Sequence, residues 1–210
     1  MISIRPARPD DSSQAAFLIH LTMGGTAYMF ADDRSRLSPD ELLAALFRRA
    51  GGRLSYQHGF VLEADQVPVG LLISFPGSTM PLLDLGMGVN LLSILGFSSM
   101  IRFTRRILPM MQVREAVGGE YYISNVAVHP DAQRRGYGAQ LLTFAEDQAH
   151  QLGLQKCSLI VNQHNADAIR LYQRFGYQIV HSGQYPGSLA AVAGGYYRML
   201  KDLSMLKDLK

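Results

Sequence analysis

The stretch that decides the fold reads SNVAVHPDAQRRGYG and runs from residue 124 to residue 138. It predicts the end of a strand, a short loop, and glycines at the start of an amphipathic helix. The first N–H groups of a helix point outward and carry partial positive charge. Gly136 and Gly138 would let a bulky anion come close to that backbone, which suits a phosphate or pyrophosphate. Arg134 and Arg135 would add positive charge beside it.

Three phosphate-binding motifs compete for this position. A Walker A loop needs Gly-Lys-Ser or Gly-Lys-Thr at the end of its glycine run, and the sequence has neither here. The dinucleotide fingerprint fits Gly136 and Gly138, but Leu141 stands at its third small position. In addition, residues 130–135 separate the glycines from the strand. The pattern that fits is Gln-x-x-Gly-x-Gly between a strand and a helix, with Gln133 as its first residue.

With two further motifs, this pattern resembles the GNAT superfamily of acyl-CoA-dependent N-acetyltransferases over nearly the whole chain. The further motifs are Asn-x-x-Ala-x-x-Leu-Tyr, from Asn165 to Tyr172, and the opening ISIRPA of residues 2–7. The resemblance implies an α/β fold, in which helices flank a central mixed sheet and two parallel strands splay apart. It also implies an acetyltransferase with acetyl-CoA as co-substrate, no metal, and a small-molecule or protein amine as acceptor.

The resemblance further implies where acetyl-CoA binds. Residues 121–128 and 157–161 would be the splayed strands, with the pantetheine inserted between them as a pseudo-strand. An amide near residues 127–128 would polarise the thioester carbonyl, and Asn165 would cap the next helix and touch the cofactor. The residues implied in cofactor binding are Val126, Ala127, Val128, Arg134, Arg135, Gly136, Tyr137, Gly138 and Asn165.

The reaction implied is direct attack of a primary amine on the acetyl thioester. An alkyl ammonium with a pKa of about 10.4 must lose a proton before it attacks, whereas a thiolate whose thiol has a pKa of about 8.5 leaves with little help. Tyr172 matches the family's general-acid position. Relatives that acetylate ribosomal-protein N termini carry Glu within Leu-Glu-Val, but Ile160 stands at that position here. Glu120 is the candidate base, acting through water; the alternative is a solvated carboxylate at the start of the strand.

Because Ile160 replaces the expected acid, a second function stays open. The protein would then be a non-catalytic acyl-CoA-binding module, a sensor or regulator that keeps the cofactor loop without a proton path. The acceptor itself is not readable, since family members build its pocket from variable parts of the chain. Those parts correspond here to residues 17–49 and 76–120.

Composition argues against several other classes. Of the 210 residues, 48% are hydrophobic and 18% charged, which is typical of a globular chain. A net charge of +3 is too small to predict a nucleic-acid partner. The six histidines lack metal-ligand spacing, and Cys157 as the single cysteine fits a cytoplasmic protein. The N terminus has no apolar segment of the kind found in secretory signals.

Periodicity and turn residues predict the other elements. Ser38, Pro39 and Glu41 form a helix start with a capping box, and Gly51-Gly52 would close that helix. Two strands, at residues 59–63 and 67–75, predict a hairpin.

One segment breaks the alternation of strands and helices. We expect residues 76–120 to be an apolar, helical insertion within a single domain of residues 1–203, followed by a tail at 204–210. Residues 85–101 carry no charge, and three arginines follow them by residue 106. The insertion would pack on the domain, line an acceptor pocket or form a homodimer contact. Contact with a membrane through residues 85–106 is the alternative, although a spanning helix needs about 20 predominantly apolar residues.

Overall fold

The computed structural model describes residues 1–24, 26, 37–108, 113, 115–186 and 194–204. The strands are β1 (Ile2–Pro6), β2 (Gly59–Ala64), β3 (Val67–Pro76), β4 (Tyr121–Val128), β5 (Lys156–Asn162), β6 (Gln178–Gln184) and β7 (Gly195–Asp202). The helices are α1 (Ser12–Met23), α2 (Pro39–Phe47), α3 (Met80–Ile107), α4 (Tyr137–Gln151) and α5 (Ala166–Arg174). Residues 205–210 of the predicted tail lie outside the described part, and the single-domain boundary at 203 stays a prediction.

The seven strands form one mixed sheet in the order β1-β2-β3-β4-β5-β7-β6. All neighbours are antiparallel except β4 and β5, which run parallel at the centre. The predicted hairpin joins β2 to β3 through Asp65 and Gln66, whose positive φ angles of 51° and 68° suit a tight two-residue turn. The α/β fold class is confirmed.

Each face of the sheet carries its own hydrophobic core, because alternate residues of a strand point to opposite faces. Helices α1, α2 and α3 cover one face, where Leu71 and Ile73 of β3 are buried. Helices α4 and α5 cover the other face, where Leu72 of β3 is buried against Leu141 and Leu142. The central strands are therefore fixed from both sides.

Helix α2 begins as predicted but ends early. The Ser38 side chain accepts a hydrogen bond from the Glu41 amide at 3.3 Å, and the Glu41 carboxylate accepts one from the Ser38 amide at 2.7 Å. The helix stops at Phe47, so the prediction that Gly51-Gly52 closes it was wrong. Those glycines lie against α3 instead: a Cβ on Gly86 would come within 1.9 Å of the Gly51 carbonyl oxygen.

Helix α3 occupies the chain between β3 and β4 and is bent at Gly96, where φ is 75° and ψ is 168°. The bend separates a first arm, residues 80–95, from a second arm, residues 97–107. By length and composition alone, the stretch Gly77–Ile107 could cross a membrane: an 18-residue window has a mean hydropathy of 1.5 and is 11% buried.

Candidate active site

The two parallel strands separate after three residue pairs, as the family resemblance implied. They pair only where Tyr121, Tyr122 and Ile123 of β4 lie beside Cys157, Ser158 and Leu159 of β5. Beyond that point β4 continues along β3, while β5 continues along β7. A gap therefore opens between residues 124–128 and 160–162, and the backbone edges that face it have no strand partner among the described residues. An extended ligand could pair with those edges.

A bulge in β4 lies where the strands begin to separate. Ile73 pairs with Asn125 and Ser74 with Ile123, so Ser124 is an extra residue without a partner in β3. The Asn125 side chain donates a hydrogen bond to the Thr22 hydroxyl of α1 at 2.7 Å. The bulge was not predicted, although two polar residues of low strand propensity in an otherwise apolar strand were a signal for it.

The loop between β4 and α4 leaves the first N–H groups of that helix without a side-chain cap. Gly136 stands at the N-cap position in the left-handed conformation, with φ of 80°, and α4 begins at Tyr137. Arg134 also has a positive φ, 62°, and the side chains of Arg134 and Arg135 are exposed. The Gln133 side chain donates to the Val128 carbonyl at 3.2 Å, which holds the loop against the strand end. The arrangement is an open, positively polarised helix N terminus beside the gap.

Helix α5 packs closely on this start of α4. A Cβ added to Gly138 would lie 3.2 Å from Leu171, so glycine permits the close approach. Asn165 caps α5 as predicted, because its side-chain oxygen accepts a hydrogen bond from the Ala168 amide at 3.1 Å. Its contact with a cofactor stays a prediction.

Tyr172 lies inside the core between these elements. It is 7% exposed and belongs to the buried cluster that contains Leu159 and Val161 of β5 and Tyr137 of α4. Burial raises the pKa of Tyr172 to about 12, so its hydroxyl is protonated at neutral pH. The residue is thus able to donate a hydrogen bond, and it belongs to the same buried cluster as Val161 at the edge of the gap.

Glu120 is not a solvated carboxylate, and that alternative was wrong. The residue is 7% exposed, and its carboxylate accepts hydrogen bonds from the Arg198 guanidinium and, at 3.3 Å, from the Val117 amide. Arg198 comes from β7, 78 residues away in sequence, so nothing in the local sequence revealed this pair. Whether Glu120 acts as a base stays a prediction.

A second ion pair, which is partly buried, lies close to the first in sequence and was also missed. Arg53 pairs with Glu115, which in addition accepts a hydrogen bond from the Tyr122 hydroxyl at 2.7 Å. Burial alone would raise the pKa of Glu115, but the attraction of Arg53 and these hydrogen bonds lower it. Burial, followed by the charge of Glu115, raises the pKa of Tyr122 well above its ordinary value. This face of β4 therefore carries a buried polar network.

The single cysteine and the possible metal ligands also bear on the chemistry. Burial raises the pKa of the Cys157 thiol to about 12, which leaves it a poor nucleophile. Within the part of the chain that the structure describes, no group of three or more His, Cys, Asp or Glu residues could hold a metal ion.

Comparisons with known proteins agree with this geometry. The family model described as "Acetyltransferase (GNAT) family" matches residues 27–177. The [Ribosomal protein bS18]-alanine N-acetyltransferase of Salmonella typhimurium is 36% identical over 76 residues, 35% of this chain and 51% of that protein. In its curated relatives, the matched segment covers about half of the protein or less.

Solved structures share the fold across the chain. An N-acetyltransferase from Staphylococcus aureus Mu50 has a TM-score of 0.72 and 21% identity, over 94% of this chain and 99% of that one. The PaiA N-acetyltransferase of Thermoplasma acidophilum, solved in complex with coenzyme A, has a TM-score of 0.51 and 13% identity, over 96% of this chain and 99% of that one. At such identities the likeness shows the fold alone.

Proposed function

The chain belongs to the acetyltransferase (GNAT) family, and from that premise we propose that it transfers an acetyl group from acetyl-CoA to a primary amine. The gap between β4 and β5, which opens beside the uncapped N terminus of α4, carries the proposal. An extended pantetheine needs strand edges to pair with, and a pyrophosphate needs N–H groups and positive charge. This fold offers both within one short stretch of chain.

The cofactor would lie along this stretch from end to end. The backbone of Val126 and Val128 would pair with the pantetheine amides, and the amide near Ala127–Val128 would polarise the thioester carbonyl. The amides of residues 134–138 and the exposed side chains of Arg134 and Arg135 would hold the pyrophosphate. Asn165, at the start of α5, would contact the cofactor from the other side.

The reaction is a direct displacement. A deprotonated amine attacks the thioester carbon, a C–N bond forms, and the C–S bond breaks as its electron pair leaves on sulfur. The acceptor ammonium gives up two protons in all: one to the base before attack, and one that the departing thiolate can take. The products are an amide, CoA thiol and one released proton.

Tyr172 would stabilise the departing sulfur by donating a hydrogen bond to it. Its pKa of about 12 lies above that of a thiol, about 8.5, so complete transfer of its proton to the thiolate is uphill. A hydrogen bond to a charged group is worth about 1.5–3 kcal/mol, which corresponds to a rate factor of about 10 to 100. The rate factor that Tyr172 contributes in this role is smaller than that of an obligatory general acid.

Glu120 is the base in this proposal, receiving the proton through water because Arg198 already contacts its carboxylate. We expect Glu120→Gln to lower kcat at neutral pH by about 10²-fold or more. Glu115→Gln is the matched control, since it also removes a carboxylate from an ion pair with arginine, here a partly buried one. If both variants lose thermal stability alike and both keep the kcat of the wild type, Glu120 serves the fold alone.

The acceptor class proposed is a primary amine, on a small molecule or a protein. The Salmonella relative is by its name an alanine N-acetyltransferase of ribosomal protein bS18. That substrate is not extended to this chain, because Ile160 stands where its subfamily carries Glu. We further propose a cytoplasmic location, where acetyl-CoA and amine acceptors would meet the enzyme.

Release of CoA thiol from acetyl-CoA tests the function directly, measured over a panel of alkyl amines, polyamines and N-terminal peptides. We expect thiol release above the rate of hydrolysis with at least one amine. Tight acetyl-CoA binding without turnover on any amine would instead favour an acyl-CoA-binding module, which the absence of Glu at position 160 suggests. Absence of acetyl-CoA binding would contradict both.

A further inference from the structure

Both arms of α3 expose a row of large apolar side chains. On the first arm Leu82, Leu85 and Val89 are 70%, 66% and 61% exposed, and their spacing of three and four residues puts them on one face. On the second arm Phe97 is 75% exposed and Ile101 41%. We call these residues the apolar face of α3.

The two rows form one continuous surface. An open groove of about 530 Å³ lies between the arms and is lined by residues of both, among them Leu85, Val89, Phe97, Ile101 and Arg105. Single exposed apolar residues are common on soluble proteins, but a contiguous apolar patch marks a contact surface.

The opposite side of α3 is fixed to the domain. Leu83, Leu91 and Phe103 are buried in the core beneath α1 and α2. Gly86 packs so closely on Gly51 that no side chain fits between them. The helix can therefore present its apolar face outward but cannot turn it away.

The topology argues against a single membrane crossing, although the stretch is long enough by composition. Pro76, just before α3, pairs with Tyr121, just after it, so the segment leaves and rejoins the sheet at the same place. The bend at Gly96 leaves arms of 16 and 11 residues, about 24 and 17 Å long at 1.5 Å per residue. Both fall short of the roughly 30 Å hydrocarbon core of a bilayer. A helix that lies along a membrane surface does not have to span the hydrocarbon core, and its two ends can lie on the same side of the membrane.

The charges select the kind of surface. Residues 80–107 contain three arginines, at 102, 105 and 106, and one acid, Asp84. Asp84, which also lines the groove, lies 3.4 Å from Arg53, and Arg53 pairs with Glu115 as well, so the arginines of the segment outnumber its acid by two. The exposed Arg105 lines the groove beside the apolar face. An apolar face bordered by arginines is typical of helices that bind anionic lipid headgroups.

We propose that the apolar face of α3 docks on the surface of an anionic lipid bilayer, with both arms in the plane of the interface. Leu85, Val89 and Phe97 enter the boundary between headgroups and acyl chains, and Arg105 contacts phosphate groups. The proposal does not rest on the acetyltransferase reaction and holds for the chain without its co-substrate.

Vesicle flotation of the chain tests it, with vesicles of phosphatidylcholine alone or mixed with phosphatidylglycerol. The wild type is expected to float with the mixed vesicles and to be released by high salt. Leu85→Ser combined with Phe97→Ser is expected to lower the partition coefficient at least about tenfold, since two large apolar side chains no longer enter the bilayer. Arg105→Gln is expected to lower it about fivefold, because one basic residue near the surface contributes about 1 kcal/mol.

Matched controls separate docking from general stickiness. Leu152→Ser with Val180→Ser removes two side chains that are 57% and 50% exposed elsewhere, and Arg174→Gln removes an exposed charge on α5. Both controls should float like the wild type, and thermal melting should show every variant folded. Failure of the wild type to float with phosphatidylglycerol vesicles overturns the proposal, as does flotation that Leu85→Ser with Phe97→Ser leaves unchanged. If the wild type does not float but forms a dimer without lipid, and Leu85→Ser with Phe97→Ser is monomeric, the apolar face of α3 binds a second copy of the chain instead.

Discussion

The loop that leads into α4 and the bend in α3 both contain a left-handed glycine with arginines nearby, but the two glycines have different structural roles. Gly136 and Gly96 have nearly the same positive φ, 80° and 75°. At Gly136 the turn starts a helix and leaves its N–H groups open beside the β4–β5 gap. At Gly96 the turn divides a helix into two arms. Arg134 and Arg135 precede Gly136 and flank the proposed anion site, whereas Arg105 follows Gly96 and borders an apolar face.

The difference teaches that residue type gains its meaning from the neighbouring strands. A left-handed glycine after a parallel strand at the centre of a sheet predicts a ligand site, because the helix start and the strand end meet there. The same glycine within a helix that returns to its own starting point predicts only a change of direction. Variants that damage one region and spare the other therefore test the comparison.

The largest effect is expected on the buried side of α3. Leu91→Ala should lower the free energy of unfolding by about 2–5 kcal/mol, because a side chain only 2% exposed leaves a cavity. Leu85→Ala, on the 66% exposed face, should change it by less than about 0.5 kcal/mol. Urea denaturation of both variants measures this, and equal losses would contradict the two-sided description of α3.

The next effect concerns the reaction. Tyr172→Phe should lower kcat about 10- to 100-fold, because a hydrogen bond to the departing sulfur is lost. The Kd for acetyl-CoA should stay nearly unchanged, because that hydrogen bond strengthens only as the thiolate forms. Tyr177→Phe is the control: its ring lies 6.1 Å from that of Tyr172, and its hydroxyl interacts with Cys157 and Glu146 inside the core. A similar fall in kcat for both variants would remove the assignment.

The pH dependence follows from the raised pKa of Tyr172. The hydroxyl donates only while protonated, and its pKa of about 12 keeps it protonated where an ordinary tyrosine, with a pKa of about 10, has begun to ionise. The wild-type rate should therefore not fall near pH 10 through ionisation of Tyr172. A fall near pH 10 that is present in the wild type and absent in Tyr172→Phe would contradict this.

The proposed anion site at the start of α4 should give a smaller effect, and the chain offers a close control for it. Gly136→Ala should weaken acetyl-CoA binding about tenfold, because the added Cβ strains the left-handed backbone and crowds the phosphates. Gly153→Ala places the same change at φ of 71°, also in open space, after the end of α4. Both should lose about 1–2 kcal/mol of stability. Calorimetric titration should show weaker binding for Gly136→Ala only, and equal affinities would place the pyrophosphate elsewhere.

The smallest effect on acetyl-CoA binding is expected at the bend in α3. Gly96→Ala should cost about 1–2 kcal/mol of stability for the same backbone reason and leave the Kd for acetyl-CoA at the wild-type value. A change in that Kd would show that α3 contributes to the cofactor site, and the two regions would no longer be separable.

The sequence was informative where the chemistry is local. The capping boundary at Ser38, the strand at Tyr121–Val128 and the cap at Asn165 each depend on residues within a few positions, and all three appear in the structure. The splay between β4 and β5 followed from the family resemblance.

Features that depend on distant pairing were not predictable. Glu120 meets Arg198 and Arg53 meets Glu115 only because the sheet brings β7 and the chain after α2 to the start of β4. The bulge at Ser124 becomes visible only through the register with β3. The close packing of Gly86 in α3 on Gly51 also joins distant parts of the chain, and periodicity does not encode it.

The most direct test of the central claim is a crystal structure of the chain with acetyl-CoA. The account predicts pantetheine amides hydrogen-bonded to the backbone of Val126 and Val128, and diphosphate oxygens within hydrogen-bond distance of the amides of residues 136–138. Acetyl-CoA bound outside the β4–β5 gap, with the N terminus of α4 making no contact with phosphate, would contradict it.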